Sequence, residues 1–188
     1  MAEPMVKSLQ GNLLVAAPQL LDPNFVRTVV LMVQHDENGA LGLVLNRPLK
    51  MTLSHAWKKV SEKPCHRDDK LHVGGPVEGP LMVVHTHEPT SQISLGSGLF
   101  FTAEPQDIEW IVADHEGPAR FFVGYAGWSA GQLEKEMGTG SWLTAPGSFD
   151  KVLESDEALW LEVLREIDPA LALLLSNRKI APQDPSLN

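Results

Sequence analysis

The stretch TVVLMVQHDENGALGLVL, Thr28 to Leu45, places two β-branched or apolar runs on either side of the polar connection Asp36-Glu37-Asn38-Gly39. An Asn-Gly pair closing such a connection is a strong local hairpin signal, because both residues tolerate the positive φ that tight hairpin turns require. The first run, TVVLMV, is almost continuously apolar rather than alternating. It reads as a central strand covered on both faces. Asn46-Arg47-Pro48 then stops the second strand, since proline has no N–H to donate to a ladder.

Working outward, LLVAA (Leu13 to Ala17) is a further apolar strand, closed by Pro18 and the turn pair Asp22-Pro23. Thr52 is placed to cap a short helix through Val60, and a polar loop follows. LHV (Leu71 to Val73) and LMVVHT (Leu81 to Thr86) flank GGPVEGP, whose glycines and prolines predict a second hairpin-like unit. Pro89 to Gly98 reads as an irregular loop and Leu99 to Phe101 as a short strand. Pro105, with Ile108, Ile111 and Val112 at helical spacing, marks a helix of about ten residues.

ARFFVGY (Ala119 to Tyr125) is a strand, and Ser129 to Met137 a helix bounded by Gly138 and Gly140. Ser129 and Gln132 have capping-box spacing, in which hydroxyl and amide satisfy helix-end donors. Trp142-Leu143-Thr144 gives one more strand. In the helix predicted over Asp156 to Ile167, the residues Leu159, Trp160, Val163, Leu164 and Ile167 form one apolar stripe of the kind that packs on a core. ALALLL after Asp168-Pro169 is a shorter helix, and Arg178 to Asn188 is expected to fray. No internal repeat is present. Strands in hairpins with helices interspersed, not strictly alternating, favour an α+β fold. The expected organisation is a single domain over residues 1–175 with a flexible tail over 176–188.

Composition narrows the function. At 188 residues and 43% hydrophobic content, the chain can bury one ordinary core. Fifteen Lys and Arg against 24 Asp and Glu leave a formal net charge of -9, so direct nucleic-acid binding, which draws on phosphate neutralisation, is not expected. The one basic cluster, Lys58 to Lys70, is broken by Glu62, Asp68 and Asp69 and reads as a solvated loop. No apolar run reaches the roughly 18 residues needed to span a bilayer, and MAEPMVKSLQ lacks a signal-like apolar stretch. A cytoplasmic protein with no membrane partner is expected. Cys65 is the only cysteine, which leaves neither an intrachain disulfide nor a multi-thiolate zinc site.

Three motifs carry possible chemistry. Gly127-Trp128-Ser129-Ala130-Gly131 matches G-x-S-x-G between a predicted strand and a predicted helix, as a hydrolase nucleophile would. That arrangement needs a histidine later in the chain, yet all seven histidines precede Ser129. His85 and His87, two apart at a strand end, point to one face and supply half a metal site, with Glu78, Glu88 or His115 as further ligands at no recognisable spacing. Gly74-Gly75-Pro76 and Gly96-Ser97-Gly98 lack the lysine or glycine spacing of nucleotide loops and read as turns. No cofactor and no metal follow from these patterns.

FVRTVVLMVQHDENGALGLVLNRPL (Phe25 to Leu49), VGGPVEGPLMVVHT (Val73 to Thr86) and GYAGWSAGQLEKEM (Gly124 to Met137), in this order and spacing, resemble the YqgE/AlgH family of bacterial proteins. The resemblance covers Gly11 to about Ile167. It implies an α+β architecture with a bifurcated mixed or antiparallel sheet, a small barrel-like portion and surrounding helices. It implies no reaction; one branch is labelled a transcriptional regulator, linked to alginate production, without a DNA-binding motif. The matching positions are Arg27, His35, Gly42, Asn46 to Pro48, Gly74 to Pro76, His85, Gly124 to Trp128, Gly131 to Glu134 and Trp142. Pro80 and Leu81 stand where many members have Arg-Gly, and Gly140 where an Asn is common. At Ser129 members carry Gly as readily, which speaks against a nucleophile.

The leading expectation is a non-enzymatic protein that binds an unknown protein or small-molecule partner at a polar groove. Asn46, Arg47, Glu78 and the Trp128 to Glu134 turn, with Gln132, would form it, and Arg27 and His85 are further candidates. Arg, Asn, Gln and Glu gather in these motif turns, where a purely structural role needs mainly Gly and Pro. The competing expectation is that Arg47 and Glu134 pair and lock the turns together. The alternatives of another class are an indirect transcriptional regulator, and a serine or metal-dependent hydrolase.

Overall fold

The computed structural model describes residues 7–177. Ten strands, five α-helices and two irregular helical turns succeed one another in the order β1 (Asn12–Ala16), β2 (Val29–Asp36), β3 (Gly39–Val44), β4 (Pro48–Thr52), α1 (Leu53–Val60), β5 (Lys70–Val73), β6 (Val77–His85), a 3-10 turn (Glu88–Thr90), β7 (Ile93–Gly96), β8 (Leu99–Thr102), α2 (Pro105–Asp114), β9 (Ala119–Ser129), α3 (Gln132–Gly138), β10 (Trp142–Pro146), a π-helical turn (Asp150–Glu154), α4 (Leu159–Ile167) and α5 (Pro169–Asn177). The fold is α+β, built on a strongly curled, mostly antiparallel sheet. The Thr28 to Leu45 hairpin forms with a two-residue loop, Glu37-Asn38, in which Asp36 Oδ1 accepts from the Asn38 amide at 2.8 Å. β2 lies between β1 and β3 and is buried over its first five residues, as its unbroken apolar run dictates.

The sheet divides on β9. One edge of this eleven-residue strand pairs with β6; the other pairs with β5, in parallel, over Phe121 to Val123 and with β3 over Ala126 to Ser129. Gly124 sits at the fork with φ 72°. Gly74, at the end of β5, ties the two branches, donating to the Val123 carbonyl at 2.9 Å and accepting from the Val44 amide at 2.8 Å. Successive β9 side chains face opposite ways and divide the core: Phe122 packs with Leu14, Met32, Leu45 and Trp160, whereas Phe121 packs with Leu53, Trp57, Leu71 and Ile111. The far edge curls back toward the first strand, where Gln10, just ahead of β1, donates from side-chain Nε2 to the Ser94 carbonyl at 2.9 Å. This return makes the barrel-like portion.

Several elements depart from the sequence reading. The β5 and β6 segments flanking GGPVEGP do not form a hairpin with each other, because β9 runs between them. The segment Pro89 to Gly98 contains β7, whose Ile93 and Leu95 alternate toward the core. Ser129 ends β9 instead of starting a helix; Gly131, at φ 72°, is the residue that turns the chain into α3. Helix α4 starts at Leu159, and Ile167 is exposed while the other four stripe residues are buried. The expected fraying over 178–188 lies outside the described residues. Among the described residues no helix is long and apolar enough to cross a membrane.

Candidate functional site

Residues 22–27 and the NRP segment are joined by one buried side chain. Asn46 Oδ1 accepts from the Val29 amide at 3.0 Å, and its Nδ2 donates to the Arg27 carbonyl at 2.8 Å. A buried amide satisfied on both ends fixes the two backbones relative to each other. Arg47 Nη2 donates to the Val26 carbonyl at 2.7 Å. Arg27 sits in the left-handed region at φ 55°, and its guanidinium lies 5.5 Å from the centre of the Trp160 ring. The result is an open cleft of about 560 Å3, lined by both arginines, Asn24, Asn46, Glu157 and the walls Val44, Pro48, Val73 and Pro76. Burial pushes the Arg47 guanidinium down from its ordinary value and Glu157 opposes this, yet an arginine so far from neutrality stays charged. Among the described residues neither Arg27 nor Arg47 has a carboxylate at ion-pair distance.

The GYAGWSAGQLE segment is bound up in its own network. The buried Trp128 and Trp142 both donate their indole N–H to Glu136 Oε2, at 3.0 and 2.9 Å. Phe25 packs on the two rings, with centroids at 6.0 and 5.4 Å. Gln132 Oε1 accepts from the Ser129 amide at 3.1 Å and its hydroxyl at 3.2 Å, while Nε2 donates to Glu136 Oε1 at 3.0 Å. Half of the capping box is therefore present: the glutamine reaches back, but the Ser129 hydroxyl does not cap the helix. Glu134 meets His35 at 2.7 Å. His35 Nδ1 accepts from the Leu9 amide at 3.1 Å, so the proton is on Nε2, which donates to Glu134. The Glu134 carboxyl is held below its ordinary value by its own backbone amide and, against some burial, by His35. Arg47 and Glu134 do not pair, since each has another partner.

The candidates thus separate. Arg27, Asn46 and Arg47 share one cleft; Trp128, Gln132 and Glu134 belong to the α3 network; Glu78 is exposed on β6 and His85 is buried at its far end. Glu136 and Glu157 escaped the sequence reading. Glu136 follows Gln132 by four residues, a helix-face spacing that could have been noticed. Glu157 reaches the cleft from a distant loop and left no local signal.

Ser129 is exposed and its hydroxyl bonds to Gln132, and among the described residues no imidazole is a hydrogen-bond partner of that hydroxyl. Replacing Ser129 by alanine is expected to change stability by less than about 0.5 kcal/mol. Fluorophosphonate labelling checks the chemistry: wild-type protein is expected to remain unlabelled, and a covalent adduct at Ser129 would overturn this.

His85, His87 and His115 do come together, with ring centres 6.4 Å apart for His85 and His115 and 5.6 Å for His87 and His115. His85 Nδ1 accepts from the His87 amide at 3.2 Å, and His87 stacks on Trp110 at 4.2 Å. Among the described residues no three His, Cys, Asp or Glu side chains converge as metal ligands. With Trp110 the three imidazoles pack as an aromatic cluster. Burial first, then His115 and His87, against an opposing Asp107, push His85 down to about 4; burial and then Arg120, with Lys70 adding, push His72 down to about 4. Between about 4 and 6.5 the unfolded chain therefore binds more protons than the folded one, and stability rises with pH through that window. Urea midpoints measured from pH 7 to pH 4.5 are expected to fall, and the fall is expected to flatten in His85→Leu.

The α+β chain with its sheet forked at glycines falls into a defined group of proteins: the AlgH-like family model matches residues 13–172, and the chain belongs to this family. It is 38% identical over 162 residues to the UPF0301 protein CT0663 of Chlorobaculum tepidum, covering 82% of this chain and 84% of that one. It is 39% identical over 203 residues to a UPF0301 protein of Streptomyces avermitilis, covering 97% of each. Among solved structures it is similar to the AlgH protein from Pseudomonas aeruginosa, with a TM-score of 0.74 and 30% identity over 94% of this chain and 97% of that one. Protein DIP2367 from Corynebacterium diphtheriae matches with a TM-score of 0.68 and 26% identity over 92% of each chain.

Proposed function

We propose that this chain is a binding protein and not an enzyme, and that it receives its ligand or partner in the Arg27–Arg47 cleft. The observation that carries this reading is the pair of guanidiniums left without carboxylate partners, among the described residues, in an open cleft. Buried charged groups that serve the fold are ordinarily paired or fully hydrogen-bonded, as Arg120 is at Nε, Nη1 and Nη2, whereas among the described residues the cleft arginines keep donors free for a ligand. Asn46 supports the reading because it holds the cleft backbone in place without itself filling the cleft, and such preorganisation lowers the cost of binding. The test is amide chemical-shift mapping with a mixed fragment library. Shifts are expected to gather at Asn24, Arg27, Arg47, Val73 and Gly75; shifts gathered at Ser129 or His85 would overturn the proposal.

The net charge of -9 supports a second, compatible reading, in which any regulation of transcription passes through such a partner and not through DNA. Retention on a DNA column in low salt, released by salt, would contradict it.

A further inference from the structure

Resting on that reading of the cleft, we infer that the group it receives is the oxyanion of a small molecule, a carboxylate or a phosphate, held between the Arg27 and Arg47 guanidiniums in competition with Glu157.

The first support is donor count. The Arg47 side chain commits Nη2 to the Val26 carbonyl and makes no other hydrogen bond among the described residues, and the Arg27 side chain makes none among them. Planar N–H forks of this kind match the oxygens of carboxylate and phosphate, which they hold by charge-assisted bonds roughly twice as strong as those to a neutral acceptor. Charge is the second support. Glu157 is the one carboxylate in the lining, so the cleft is left with one positive charge in excess, within a chain whose total is -9. Local positive potential on an acidic protein is selective for compact anions, because an extended polyanion would meet the negative surface around it. Setting is the third. Val44, Pro48, Val73 and Pro76 wall the cleft, and apolar walls strengthen a charge pair relative to open water. Its volume of about 560 Å3 falls within the range of small-molecule sites.

Glu157 gives the proposal an internal control. It is exposed just ahead of α4 and faces Arg47 without reaching ion-pair distance, so it acts as a resident competitor for the same guanidinium. Removing its charge should strengthen oxyanion binding, whereas removing either arginine should weaken it. A merely structural role for Arg47 predicts no such opposition of signs.

The experiment is a titration of the full chain with inorganic phosphate and, separately, acetate, each against sodium chloride at matched ionic strength, following backbone amides and arginine Nε–H resonances. Saturable shifts at Arg27, Arg47 and Gly75 are expected with at least one oxyanion beyond the chloride control; phosphate alone or acetate alone names the source. Arg47→Gln and Arg27→Gln are each expected to weaken binding about tenfold or more, and Glu157→Gln to tighten it several-fold. Far-UV spectra of the variants must match wild type, and Glu157→Gln, at an exposed position, carries the test if Arg47→Gln does not fold. Shifts equal to the chloride control, arginine variants that bind as wild type, or weaker binding by Glu157→Gln would each overturn the inference. Should neutral fragments still gather at the cleft in that case, the binding site stands and its oxyanion assignment falls. If nothing gathers there, both fall.

Discussion

Substituting Arg120 by methionine is expected to destabilise the protein by about 3–5 kcal/mol, the range for removing one member of a buried charged network. Arg120 lies on β9, 4% exposed, and donates to the carbonyls of Leu45 at 2.9 Å, Val152 at 2.8 Å and Ser155 at 2.8 Å. It also donates to Ser155 Oγ at 2.8 Å and to His72 Nε2 at 3.0 Å. Methionine fills the space and leaves these acceptors buried without donors, at roughly 1–3 kcal/mol for each that cannot relax. Burial lowers the guanidinium to about 10, opposed by Asp156, so it remains charged at neutral pH. Lysine is not expected to rescue, since one ammonium cannot span acceptors placed around a planar fork. Urea unfolding followed by circular dichroism gives the result. The same bonds hold the 150–155 turn against the sheet, and Glu157 follows directly, so the variant is also expected to loosen the wall of the cleft.

Alanine at Gly74 or Gly75 is expected to be as damaging, at least about 3 kcal/mol and in the stronger case no folded protein. A Cβ on Gly74 would stand 2.2 Å from the Gly124 carbonyl oxygen, and one on Gly75 would stand 2.2 Å from the Tyr125 carbonyl carbon. Both obstacles are backbone atoms of β9, which is held by strands on both sides and cannot give way. Gly98 is the control: it has φ 74° but open space, so Gly98→Ala should cost only about 1–2 kcal/mol for the left-handed conformation. Equal losses at Gly75 and Gly98 would show that conformation, and not the close approach at the fork, is what these glycines serve.

Most strands and helices were legible because their signals are local. The Thr28 to Leu45 hairpin announces itself through an apolar run, a turn and a second run, and α2 through Pro105 and three apolar residues at helical spacing. The fork was not legible from periodicity. GGPVEGP looks like a hairpin turn when read alone, and only the insertion of β9, some forty residues later, separates its flanking strands. The site divided in the same way. Arg27, Asn46 and Arg47 share a cleft, whereas Trp128, Gln132 and Glu134, which the motif turns offer as candidates equally, are absorbed by Glu136 and His35. A polar side chain in a turn looks the same in sequence whether its partner is a ligand or a residue a hundred positions away.

The most direct test of the binding cleft is a side-by-side capture from native cell extract by wild-type protein, Arg47→Gln and Ser129→Ala, with bound small molecules and proteins quantified by mass spectrometry. A species held by wild type and by Ser129→Ala but lost by Arg47→Gln is the predicted result. A species held equally by Arg47→Gln, or lost only by Ser129→Ala, would contradict it.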